Sequence, residues 1–113
     1  MLIHSRLYRT RATAYRVALF ALGLAACATS PAPTEQVAVA RAAIADATAA
    51  GGGEYSPAQL RNAQDKLARA QRAMADQDNA RARALAEEAE VDARLAAARA
   101  RSVKAQRAVA EVD

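Results

Sequence analysis

The chain has 113 residues and a formal net charge of +4, with 53% hydrophobic, 4% aromatic and 25% charged residues and one cysteine. That length holds one small domain, and a single thiol excludes an intramolecular disulfide. Arg6, Arg9, Arg11 and Arg16 account for the whole charge excess: from residue 27 onward 12 basic residues meet 12 acidic ones, so the basic balance lends no support to nucleic-acid binding.

Residues 1–26 carry no acidic side chain, and the four arginines lead into a ten-residue apolar run, Val17 to Ala26. That run is far shorter than the ~20 residues a bilayer-spanning helix needs. A basic start, a short apolar stretch and small residues instead form a targeting signal. Leu24, Ala25 and Ala26 stand directly before Cys27. This order resembles a bacterial lipoprotein signal peptide. The resemblance implies signal-peptidase recognition at Leu24, Ala25 and Ala26, removal of residues 1–26, and lipidation of Cys27 by palmitate-class chains. Each buried methylene adds about 0.8 kcal/mol of membrane affinity, and two signals already anchor stably, so three acyl chains would hold the protein on a bilayer. Ala28, rather than Asp, follows Cys27; within the resemblance this implies the outer membrane, at its periplasmic face.

Residues 27–33 form the lipidated cysteine and a tether whose Pro31 and Pro33 favour extended chain. Residues 34–113 form the domain. Alanine fills 29 of the 87 positions after residue 26, with Arg, Gln, Glu and Lys supplying much of the rest, all strong helix formers. The first helix is expected at 35–50, with Thr34 as its N-cap and Val37, Ala40, Ile44 and Ala47 on one face. Gly51, Gly52 and Gly53 are expected to stop it. Ser56 and Pro57 then open a second helix, 57–76, with Gln59 completing a capping box and Tyr55 and Leu60 placed for a hydrophobic staple. Its seam is Leu60, Ala63, Leu67, Ala70 and Met74.

The run Asp76-Gln77-Asp78-Asn79 breaks the pattern again, with Asp78 as the next N-cap. The third helix, 79–112, spans roughly 50 Å at 1.5 Å per residue. Val91, Leu95, Ala98, Ser102, Ala105, Val109 and Val112 repeat at alternating spacings of four and three, a coiled-coil seam. A second stripe runs beside it: Ala82, Leu85, Ala89, Ala93, Ala96, Ala100 and Val103. Two stripes suit a helix with more than one neighbour. Pairs such as Asp65/Arg69 and Glu90/Arg94 read as a solvated face. The fold expected is all-α, an antiparallel hairpin or thin three-helix bundle with alanine-rich seams.

Ala43-Ile44-Ala45, then Glu54 through Leu60, then Ala80 through Ala100 with its Ala-Glu-Glu-Ala core, resemble an uncharacterised alanine-rich helical lipoprotein family of Gram-negative bacteria. Some relatives carry an OmpA-like domain after the helices, which is not expected in this chain. The resemblance covers about residues 35–110 and brings no biochemical activity with it.

Catalysis is not expected. His4, the sole histidine, would leave with the signal and Cys27 would be acylated under the lipoprotein resemblance; Ser56 is explained as a cap and Ser102 as a small packing residue. Glu87, Glu88, Glu90 and Asp92 lack the glycine-containing loop of a calcium site, and Gly51–Gly53 lacks the Gly-Lys-Ser/Thr of a phosphate loop. No metal, cofactor or small-molecule substrate is expected beyond the lipid on Cys27. Only 13 apolar residues larger than alanine follow residue 26, too few for a secure monomeric hairpin. The seams are therefore expected to take another copy or a partner envelope protein, first at Ala105, Val109 and Val112. The function expected is that of a structural or adaptor lipoprotein. The alternative is a tetratricopeptide-like binding module, against which stand the long helices and the single helix pair.

Overall fold

In the computed structural model, which describes residues 30–113, the alanine-rich segments fold into four helices. They are α1 (Thr34–Ala49), α2 (Gly52–Tyr55), α3 (Pro57–Ala75) and α4 (Asn79–Val112), and no strand occurs among the described residues. The class is all-α. Residues 31–113 form one compact unit in which α1 and α3 both pack along α4.

Two alanine-rich clusters set the directions of the helices. Val37 and Ala40 of α1 meet Ala70 and Ala73 of α3 and Ala82, Leu85, Ala86 and Ala89 of α4. Ala47, Leu60, Ala63, Ala93, Ala96 and Ala97 make the second cluster. Along the chain, α1 therefore runs with α4 and α3 runs against both, an up-down-up bundle. Most of the core side chains are alanine, which lets helix backbones approach closely but buries little apolar surface per residue.

The breaks differ in detail from the sequence expectation. Thr34 is the first residue of α1 rather than its cap; Pro33 holds the N-cap position, with no side-chain hydrogen bond, and its ring is fully buried. Of the three glycines only Gly51 is a stop. It takes φ +94°, a left-handed conformation suited to glycine, and its N–H donates to the Thr48 carbonyl. Gly52 and Gly53 continue into α2, because Gly51 has already redirected the chain and its carbonyl accepts from the N–H groups of Glu54 and Tyr55. Ser56 holds the N-cap position of α3, but its hydroxyl bonds the Gln59 Oε1 at 3.1 Å instead of the helix backbone.

The turn between α3 and α4 is a complete helix-ending motif. The Asp78 N–H donates to the Ala73 carbonyl at 2.9 Å and the Gln77 N–H to the Met74 carbonyl at 3.1 Å, with Gln77 at φ +60°. Asp78 then caps α4, its Oδ1 accepting from the Arg81 N–H at 3.3 Å.

Candidate interaction surface

α4 carries two apolar stripes, and the bundle uses one of them. Ala82, Leu85, Ala89, Ala93, Ala96 and Ala100 are buried against α1 and α3, and Val103 is half-buried. The other row, the stronger coiled-coil pattern, faces outward. Val91 is 65% exposed, Leu95 41%, Val109 64% and Val112 86%, with Ala98, Ser102 and Ala105 exposed between them. Most of the larger apolar side chains of α4 thus lie on the open face, while the closed one is alanine apart from Leu85 and the half-buried Val103. The inward choice follows from thickness: α1 and α3 offer mostly alanine, and only small residues of α4 let three such helices close together.

Ion pairs on both flanks hold α4 in this rotation. On the α3 side the Lys66 ammonium sits 2.8 Å from Asp92 Oδ2 and 3.2 Å from Glu88 Oε2. These carboxylates, Asp92 first, raise the Lys66 pKa above its ordinary 10.5. On the α1 side one Arg101 nitrogen reaches both oxygens of Asp46 at 2.9 Å. Within α4, Glu90 pairs with Arg94, and on α3 Asp65 lies 3.7 Å from Arg69. The acidic run is therefore divided between two partners and solvent rather than gathered: Glu88 and Asp92 serve Lys66, Glu90 serves Arg94, and Glu87 faces solvent. Among the described residues no group of three His, Cys, Asp or Glu side chains is placed to hold a metal ion. Ser56 is buried on Gln59, without a base beside it among its bonds.

Near its C-terminal end α4 is steadied by α2. The Tyr55 ring lies beneath two cations: Arg107 Cζ stands 4.8 Å from its centroid and Lys104 Nζ 5.8 Å. Glu54 adds a contact to Arg107 at 3.8 Å. Beyond Arg107 every residue of α4 is exposed, so Val109 and Val112 project past the cover of the neighbouring helices. Ala105 is exposed one turn earlier, in the same row. The outward row also borders a shallow groove of about 350 Å³, lined by Lys66, Ala84, Glu87, Glu88, Val91 and Asp92.

The Lys66 clamp was not foreseen in the sequence. Its signal was the antiparallel register that a tight 76–78 turn imposes, which sets Lys66 of α3 opposite residues 88–92 of α4. Leu24, Ala25, Ala26 and Cys27 lie outside the described residues. No described helix is long and apolar enough to cross a membrane.

A family model described as a domain of unknown function, DUF4398, matches residues 35–112. No curated protein and no solved structure matches the chain.

Proposed function

Because the chain belongs to the DUF4398 family, whose function is not established, we propose a role from its own geometry: a lipid-anchored helical module of the cell envelope that works by protein–protein contact, as a structural or adaptor element. The observation that carries this reading is the outward row of α4. Val91, Leu95, Val109 and Val112 repeat on one exposed face of a 34-residue helix whose opposite face is buried in the bundle from Ala82 to Ala100. Scattered surface apolar residues need no explanation, but a heptad-spaced row of them is the pattern by which one helix receives another.

The anchor half of the proposal rests on the order of arginines, apolar run, Leu24-Ala25-Ala26 and Cys27. It places the bundle on the periplasmic face of the outer membrane, held by acyl chains on Cys27. The proposed role calls for no catalytic step; among the described residues the Ser56 hydroxyl bonds Gln59, and Asp92 pairs with Lys66.

Cross-linking in intact cells tests the proposal, using tagged full-length protein and a Cys27→Ser control. A discrete heteromeric adduct that requires Cys27 makes the protein an adaptor and gives its partner. Adducts only at multiples of its own mass make it a self-assembling structural lipoprotein. Absence of any adduct from the outward row, with the protein present and folded, removes the interaction role.

A further inference from the structure

Outside the outward row, the most chemically distinctive place in the bundle is the cleft beside the α3–α4 turn. Arg69 and Arg72 from α3, Asp76 and Asp78 from the turn, and Arg81 from α4 line a space of about 370 Å³ floored by Ala73. Arg69 is drawn to Asp65 at 3.7 Å. Arg72 and Arg81 have no ion-pair partner among the described residues. Asp78 also caps the backbone of α4, so two carboxylates line the cleft beside three guanidinium groups, of which Arg69 is already drawn to Asp65.

Arg81 is an exposed residue placed against the helix dipole. It lies in the first turn of α4, which contains no acidic residue. A cation there opposes the helix dipole, whereas Arg72, in the last turn of α3, is favourably placed. The three guanidinium groups of the cleft outnumber its two carboxylates, so an anion between them meets a lining with a positive excess. Planar guanidinium forks match the oxygens of a phosphate, with two parallel hydrogen bonds from each.

The position of the cleft says where the phosphate comes from. Pro33, where the chain joins the bundle, is fully buried, and Val37 and Ala40 just after it pack with Ala70, Ala73 and Ala82. The start of α1 and the arginine cleft therefore occupy the same end of the bundle. We propose that this cleft binds a phosphate group, and that the phosphate is presented by the headgroups of the membrane carrying the anchor. The lipid half of this inference rests on the anchor reading above: a tether of residues 28–33 reaches only about 20 Å at 3.1 Å per residue. The phosphate chemistry stands on the cleft alone. Tethering would raise the effective headgroup concentration at the cleft, so an affinity too weak for free capture still docks this end on the bilayer.

Two measurements on the full-length chain test it. In neutral detergent, inorganic phosphate is expected to shift the amide resonances of residues 72–81 saturably. The double variant Arg72→Ala/Arg81→Ala weakens that binding about tenfold or more, and Asp76→Asn strengthens it. In vesicles, amide exchange over residues 76–82 is slower in phosphatidylglycerol than in a galactolipid that has no phosphate, and the double variant removes the difference. Arg72→Lys/Arg81→Lys, which keeps the charge, retains part of both effects, and an unchanged helical spectrum shows that each variant folds. No saturable phosphate response, or one unaltered in the double variant, overturns the site. Phosphate binding that depends on both arginines, with equal exchange in the two lipids, assigns the cleft to a soluble phosphate and overturns the lipid half. An intact mass showing Cys27 without acyl chains overturns the anchor reading separately, while the detergent titration still decides the cleft.

Discussion

A Cβ placed on Gly52 would lie 2.8 Å from the carbonyl oxygen of Ala47, and that oxygen is backbone and cannot swing aside. Gly52→Ala is therefore expected to push α2 off the end of α1 and cost about 1–3 kcal/mol, the range for overpacking a tight site; thermal melting of the full chain reads it. Gln77 is the opposite case. Its φ of +60° is a left-handed conformation that costs an L-residue about 1–2 kcal/mol, and it occupies the position where helices commonly end in glycine. Gln77→Gly should raise the melting temperature, by a gain of up to about 1 kcal/mol after the extra freedom of glycine in the unfolded chain is subtracted. A fall in stability would mean that the Gln77 side chain contributes something its backbone does not show. Lys66 carries the pH dependence that can be signed. Its pKa is raised in the folded chain by Asp92 and Glu88, so its contribution is fully present below the ordinary value of 10.5 and is lost as pH rises through the folded value. The stability gap between the wild type and Lys66→Met should stay level from about pH 6 to 9 and close only above the ordinary lysine range. A gap that closed already near neutrality would contradict the clamp.

At the scale of elements, α4 decides what the sequence could and could not convey. Its ends were legible, because Asp78 caps one and the residues that break helix cluster at 76–78. The limits of α1 and α3 were legible to within a residue from Gly51, Pro57 and the 76–78 break, although neither Thr34 nor Ser56 caps a helix backbone with its side chain. The rotation of α4 was not. Both of its stripes repeat at spacings of three and four, and hydrophobicity favours the row with Val91, Leu95, Val109 and Val112 as the buried one. Backbone proximity overrules that preference, because α1 and α3, lined mostly by alanine, close on a stripe of α4 in which Leu85 is the one large buried residue. The Lys66 clamp and the arginine cleft were illegible for another reason: each joins residues of two helices whose register becomes known only when the hairpin is built. The rotation itself makes a sharp prediction. Ala93→Leu, in the closed face, should cost about 1–3 kcal/mol by overpacking, whereas Ala98→Leu, five residues on in the open row, should change stability by no more than about 0.5 kcal/mol. If the two losses were equal, or reversed, α4 would be rotated from the arrangement described.

For the whole molecule, the consequence is a bundle whose core is mostly alanine and whose α4 leaves Val91, Leu95, Val109 and Val112 exposed. A core made mostly of alanine yields modest burial, and ordering each residue costs about 1.5 kcal/mol, so the folded chain has little stability to spare. A partner that covers the outward row binds only the folded form and therefore stabilises it by mass action. Leu95 and Val109 are 41% and 64% exposed, and neither belongs to either core cluster. Replacing both with aspartate should leave the melt of the dilute chain within about 0.5 kcal/mol per site, since the new carboxylates stay in water. In cells the same double variant should remain anchored and abundant yet lose the cross-linked adducts of the outward row. Ala93→Asp is the contrasting control: it places a charge among Ala47, Leu60 and Ala96 and should unfold the bundle. Adducts that survived Leu95→Asp/Val109→Asp in a folded protein would move the contact surface away from α4. Adducts that disappeared with the helical signal intact would show that the face left open by folding is the one the protein uses.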